Sequence, residues 1–251
     1  MYPISNAVKA LFEADYAKVL RITGTDRNNA AISITDDNVM AESFSIDRYC
    51  CNGEKLEIGT AVAAQMSLRL DNSSGAYDAI VFEGAELTVE IGIADWTQSS
   101  PTVSYIPCGL FTPDIQPRKL TTISLKCLDR MMRFDKKIDT TVMPTSATVE
   151  NMIRFACSLC SVPFNQTLSF PNYNTRIELP ENTETITYRN IIQWCAGLMG
   201  TNAYIDWEGK LRFAWFNNTT NYVSTVDNRY SSDLYENPLT ITGVKIGRAH
   251  V

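Results

Sequence analysis

Glu83, Glu86 and Glu90, with Asp129 and Asp135 further along, are the carboxylates whose spacing comes nearest to the acid and base of a hydrolytic site. Glu86 and Glu90 share one parity in a run where Leu87, Val89, Ile91 and Ile93 hold the other, so they belong to the polar side of a strand. A solvated face is the reading that placement favours. Seven cysteines are present, and Cys157 and Cys160 form a lone C-x-x-C with neither a second pair nor histidines at ligand spacing. Buried free thiols fit them better than a metal or redox site. The one histidine, His250, lies in the last six residues, so the commonest general base and metal ligand is missing from the body of the chain. No dinucleotide or phosphate-binding glycine loop, nucleophile elbow or zincin helix occurs. Trp96, Trp194, Trp207 and Trp215, with Tyr188 and Tyr204, could stack on sugars, although aromatics in alternating strands more often pack in cores or subunit contacts. Trp207, beside a turn, is the candidate exposed aromatic. No catalytic, cofactor or metal residue is assigned.

The elements that must carry these residues are mostly strands. The run 87–94 alternates with period two, 103–111 reads as a second strand and 121–127 as a third, giving an antiparallel meander that needs partners to cover its apolar face. A short helix over 6–16 leads the chain. Strands at 18–23 and 31–34 flank a polar turn, and further runs at 40–48, 55–58 and 60–70 follow, with an Asn-Gly turn at 52–53. About eight strands in the first ~125 residues suit a closed or nearly closed barrel or a sandwich. The run 128–134 breaks the alternation as one helical turn.

Past residue 140 the periodicity changes. Val149, Met152, Ile153, Ala156 and Leu159 form a helical stripe with Glu150 in its first turn, and Pro163 ends it. A strand at 176–179, a helix over 188–199 with Gly200 at its C-terminal cap, and a hairpin over 203–216 complete the unit. The predicted fold class is α+β, mostly β: a β-barrel-like tube domain over 1–140, then a small α+β domain over 141–222. Residues 223–245 read as a linker and the first strand of a further, truncated domain. The net charge of −6 and pI near 4.9 argue against a surface that grips nucleic acid through its phosphates, which needs clustered Lys and Arg. No basic n-region and no run of ~18 apolar residues occurs, so neither a signal peptide nor a membrane span is expected.

Two stretches then carry a resemblance. One is Val39-Met-Ala-Glu-Ser-Phe-Ser-Ile-Asp47 followed by Lys55-Leu-Glu-Ile-Gly-Thr-Ala-Val-Ala-Ala-Gln-Met-Ser-Leu-Arg-Leu70; the other is Gly84-Ala-Glu-Leu-Thr-Val-Glu-Ile-Gly92, Ile106-Pro-Cys-Gly-Leu-Phe-Thr112 and Ile123-Ser-Leu-Lys-Cys-Leu-Asp-Arg-Met131. In order and spacing they resemble the N-terminal region of phage tail-tip and baseplate hub proteins, and 189–213 is similar to the small domain that follows there. Pro113 departs from the apolar strand residue the pattern leads one to expect. The resemblance implies a structural, non-enzymatic subunit of the virion, assembled in the bacterial cytoplasm. It implies a homotrimeric ring around the channel for DNA and the tape-measure protein, docked on a distal tail protein, without a cofactor. An acidic lumen would keep passing DNA from sticking. Glu86, Thr88 and Glu90 are the face expected to meet a neighbour or the lumen. Alternatives are a carbohydrate-binding adsorption module and the scaffold of a tail lysin whose catalytic domain lies elsewhere. Residues 246–251 resemble a reading frame of a sequencing adapter and are expected to be non-native.

Overall fold

The computed structural model describes residues 5–11, 16–51, 57–95, 102–114, 118–119 and 121–214. The expected Asn-Gly turn at 52–53, Trp96, Trp215, the linker and strand at 223–245 and the adapter-like tail lie outside them.

After a short helix α1 (Asn6–Leu11), the first half builds one antiparallel sheet from β1 (Tyr16–Thr25), β2 (Ala31–Thr35), β3 (Ser45–Asp47), β4 (Gln65–Asp71), β5 (Glu86–Asp95), β6 (Thr102–Pro113), β7 (Arg118–Lys119) and β8 (Thr122–Asp129). The order is β2-β1-β5-β6-β8-β4-β3, with β7 alongside β8. Alternation decides which side faces in. Ile22, Ile32 and Ile34, Met66, Leu68 and Leu70, Leu87 and Val89, Phe111, and Ile123, Leu125 and Cys127 are buried together in one core, while the residues that alternate with them point outward. Residues from both ends of the strand order share that core, so the sheet is strongly curled.

The sheet does not close into a barrel among the described residues. Between β2 and β3 the chain runs as a 3-10 turn (Asp36–Asn38), and Asp36 accepts the Leu20 amide at 2.8 Å. Between that turn and β3, the chain reaches β4 through an isolated bridge, Val39 to Leu70, the Met40 amide on the Arg69 carbonyl, and Ser43 Oγ, which accepts the Arg69 amide at 3.1 Å. β6 runs to Pro113, which occupies its last position, where a missing N–H is tolerated.

A 3-10 turn (Arg130–Asp135) leads out of β8, capped by Asp129. Next come β9 (Ser146–Thr148), α2 (Val149–Leu159), β10 (Arg176–Glu178), α3 (Tyr188–Leu198), β11 (Asn202–Ile205) and β12 (Leu211–Ala214). Thr148 caps α2 by accepting the Asn151 amide, and Thr187 with Asn190 forms a capping box on α3. Gly200 takes φ +68° just past α3, the left-handed step that ends it. The periodicity misses β9: residues 146–148 pair with β10 before α2 starts. A second core forms between α2, α3 and the β11–β12 hairpin, and it draws in Ala61, Met131 and Phe134 from the first half.

Candidate interaction face and sheet junction

Glu86, Thr88 and Glu90 lie on β5 facing away from the sheet core, and all three are half-buried. Their surroundings differ. Glu90 accepts Arg21 Nε at 2.7 Å from β1, and the Arg21 guanidinium lies 3.4 Å from the centre of the Tyr105 ring on β6. The Glu90 hydrogen bond raises the Arg21 pKa. Tyr105 stands opposite Gly92, and a Cβ there would come within 2.5 Å of Val103 Cγ1 and 2.9 Å of the Tyr105 ring. The ring thus fills the space glycine leaves, and Arg21 covers the ring. Gly92→Val should displace Tyr105 and Arg21 at a cost of about 1–2 kcal/mol, since the atoms in the way are side chains. Urea unfolding measures it. Thr88 sits between Thr23 of β1 and Leu110 of β6.

Glu86 turns to the junction between the two cores. It accepts Arg130 Nε at 3.0 Å, Arg130 Nη2 at 2.5 Å and Arg133 Nη2 at 2.5 Å. The same arginines reach on: Arg130 Nη1 donates to the Gly209 carbonyl at 3.2 Å, and Arg133 Nη1 to the Ser161 carbonyl at 2.9 Å. Burial alone would raise the Glu86 pKa, but the Arg130 hydrogen bond and the two positive charges hold it below the ordinary carboxylate range. Arg48 spans the same junction, donating to the Ile205 carbonyl at 3.2 Å and to the carbonyl of Cys108, where β6 bulges against β5. Asn202, buried on β11, donates to the carbonyls of Cys50 and Glu57 at 3.0 Å and accepts the Thr60 amide at 3.1 Å. Arg189, on the first turn of α3, pairs with Asp135 at 2.6 Å and donates to the carbonyls of Ala61 and Met131.

Asp129 sits at the centre of this seam, 3% exposed. Its carboxylate accepts the Ala64 amide at 3.0 Å and the Met131 amide at 2.9 Å. Burial pushes its pKa up to about 6 against the pull of these amides and of Arg48 and Arg189. The folded chain therefore binds this proton more tightly than the unfolded one, whose carboxyl titrates near ~3.9. Its contribution is complete below pH ~4 and is lost as pH rises through about 6. Asp129→Asn, which cannot titrate, should trail the wild type by most at pH 4. The gap should shrink by about 2–3 kcal/mol at pH 7, as measured by denaturant unfolding at each pH.

The other sequence candidates fall elsewhere. Trp207 is half-buried in the β11–β12 turn, which Asp206 organises by accepting the amides of Glu208 and Lys210 at 2.9 Å. Trp194 on α3 is the more open indole, 42% exposed. Glu83 lies on the surface 4.0 Å from Arg27. Cys157 and Cys160 are buried in the second core, and burial pushes Cys160 up to about 11 and Cys195 up to about 12. Among the described residues no group of three or more His, Cys, Asp or Glu side chains converges to hold a metal. No helix among them is long and apolar enough to cross a membrane.

No family model and no curated protein sequence matches the chain. Solved structures do. The 43 kDa tail protein of prophage MuSo2 from Shewanella oneidensis superposes with a TM-score of 0.50 at 13% identity, over 83% of this chain and 58% of that one. The chain shares its fold with that tail protein. It spans 58% of the length of that tail protein. A half-lidded PdpA–VgrG complex from Francisella matches at TM-score 0.43 and 10% identity, over 83% of this chain and 34% of that one. The virion of a native gene transfer agent matches at 0.33 and 14%, over 57% and 51%. Within the tail-protein fold, the junction residues Arg48, Arg130, Arg133, Arg189 and Asn202 were not singled out from the sequence. The one available signal was the sequence of basic residues at 130 and 133 where alternation breaks.

Proposed function

We propose that the chain is a structural subunit of a phage tail tip or baseplate hub, acting by protein contacts without catalysis. The observation that carries this reading is the match of 83% of the chain to a prophage tail protein. The curled sheet, braced from one side by a second small core, supplies a stiff body of the kind a ring subunit needs. Three copies would enclose a channel passed by DNA and the tape-measure protein and dock on a distal tail protein. Residues 1–140 would form the hub domain and 141–222 its α+β companion. The outward stripe of β5, with Thr88 and Glu90 beside Arg21 and Tyr105, is the proposed contact or lumen face. Glu86, already bound by two arginines, contributes by holding that face to the rest.

Coexpression with the genes on either side of its own tests the reading. Gold-labelled antibody to this chain should mark one end of the purified tails, and cell-wall zymography of the chain should stay blank. Label absent from tails, or a clearing zone, contradicts it. A glycan-adsorption role draws on the exposed rings of Tyr49, Trp194 and Tyr204, and a glycan array reports on it directly.

A further inference from the structure

Cys50 and Cys51 belong to neither core. Cys50 is exposed, Cys51 is half-buried, and their sulfurs stand 3.6 Å apart. The carbonyl of Cys50, part of the peptide that joins them, is held twice. Thr60 Oγ1 donates to it at 2.6 Å and Asn202 Nδ2 at 3.0 Å. Asn202 is 6% exposed and also accepts the Thr60 amide, so this peptide is one of the ties between the first half of the chain and β11.

We propose that Cys50 and Cys51 form a reversible dithiol–disulfide site for small-molecule disulfides, and that its oxidation frees the Cys50 carbonyl from Asn202 and Thr60. Two observations carry it. The sulfurs are already in contact and open to solvent. The other described cysteines are poor competitors: Cys127, Cys157, Cys160 and Cys195 are buried, and Cys108 is half-buried with its thiol directed to the Ile106 carbonyl. The conformational consequence follows from covalent geometry. Adjacent Cα atoms across a trans peptide are about 3.8 Å apart, whereas ordinary disulfides span roughly 4.4–6.8 Å. Closing the bond therefore strains the eight-membered ring, and the intervening peptide, the one whose carbonyl is gripped, must distort to take up part of that strain.

The chemistry balances as an exchange. One cysteine thiolate attacks a sulfur of the small disulfide, forming a mixed disulfide and expelling one thiolate. The second cysteine, having lost its proton to solvent, attacks the protein-bound sulfur, closes the ring and expels the other thiolate. The two leaving thiolates take up the two protons, so the protein pair is oxidised and one disulfide becomes two thiols. The hydrogen bond to Cys51, then burial, raises the Cys50 pKa, so the reaction should quicken as pH rises. The strained product should be reduced readily.

The full chain is incubated with oxidised glutathione, quenched with an alkylating reagent and read by intact and peptide mass. Two alkylation sites should be lost, mapped to a Cys50–Cys51 link without retained glutathione, and restored by dithiothreitol. Cys51→Ser should instead trap glutathione on Cys50. In the oxidised chain, exchange of the Asn202 side-chain amide proton that the Cys50 carbonyl accepts, read by NMR, should rise about tenfold, the factor that loss of one ordinary hydrogen bond corresponds to. A stable glutathione adduct on the wild type, or no reaction at either thiol, overturns the site. A closed link with unchanged exchange at the Asn202 side-chain amide overturns the release.

Discussion

Gly59→Val lowers the stability of the chain by about 2–6 kcal/mol. Gly59 takes φ +86°, a left-handed conformation that costs a β-branched residue about 1–3 kcal/mol. A Cβ at this position would stand 2.9 Å from Gly197 Cα, 3.1 Å from Gly197 N and 3.3 Å from the Gln193 carbonyl. These are backbone atoms of α3 and cannot swing aside, so overpacking adds about 1–3 kcal/mol. The two glycines let the chain pass close enough for Gly59 N–H to reach the Thr201 carbonyl and for Ala61 to bridge to Ala203. The melting temperature should drop by about 10 °C, at roughly 2–4 °C per kcal/mol for a chain of this size. Gly59→Ala should cost less, and Gly84→Ala should serve as the strain-only control, because nothing stands within 4 Å of its Cβ position although its φ is +75°.

Glu86→Ala costs about 2–3 kcal/mol. Removing one member of a buried charge cluster leaves the others unpaired, a loss of about 3–5 kcal/mol when burial is complete. Glu86 is 29% exposed, and water reaches its partners, so the figure is smaller. Two arginines lose their acceptor at once, while their bonds to Gly209 and Ser161 remain. Arg133→Ala in the Glu86→Ala background should cost less than in the wild type, a coupling that a double-mutant cycle in urea reads directly. The pH dependence has a definite sign. The folded pKa of Glu86 is depressed, so its contribution is present above the unfolded value near ~4.3 and is lost as pH falls through the folded one. This is opposite to Asp129, whose contribution is lost as pH rises.

Much of the fold was legible because alternation and helical stripes report on what each residue packs against. Leu87 and Val89, Met66, Leu68 and Leu70, and Ile123, Leu125 and Cys127 turn inward as their spacing dictates, and Met152, Ile153 and Ala156 do so on α2. What stayed hidden depends on contacts between residues far apart in sequence. Residues 128–134 announce a break in the strand, but nothing local tells that Arg130 will reach both Glu86 and Gly209. Asn202 reads as an ordinary strand residue until the carbonyls of Cys50 and Glu57 are brought to it. Periodicity counts strands and left open whether the sheet closes fully or only nearly, because closure depends on how the two ends of the strand order meet. At the stripe, spacing put Glu86, Thr88 and Glu90 on one face, but their partners, two arginines for one and Arg21 with Tyr105 for another, come from other elements.

Self-association through the outward face of the curled sheet is the claim on which the tail-subunit reading turns, and native mass spectrometry of the full chain measures it. The account predicts a species of three 28.1 kDa protomers, which Thr88→Lys with Glu90→Lys reduces to single chains. A wild-type chain that stays a single protomer at tens of micromolar, or a trimer indifferent to both substitutions, contradicts it.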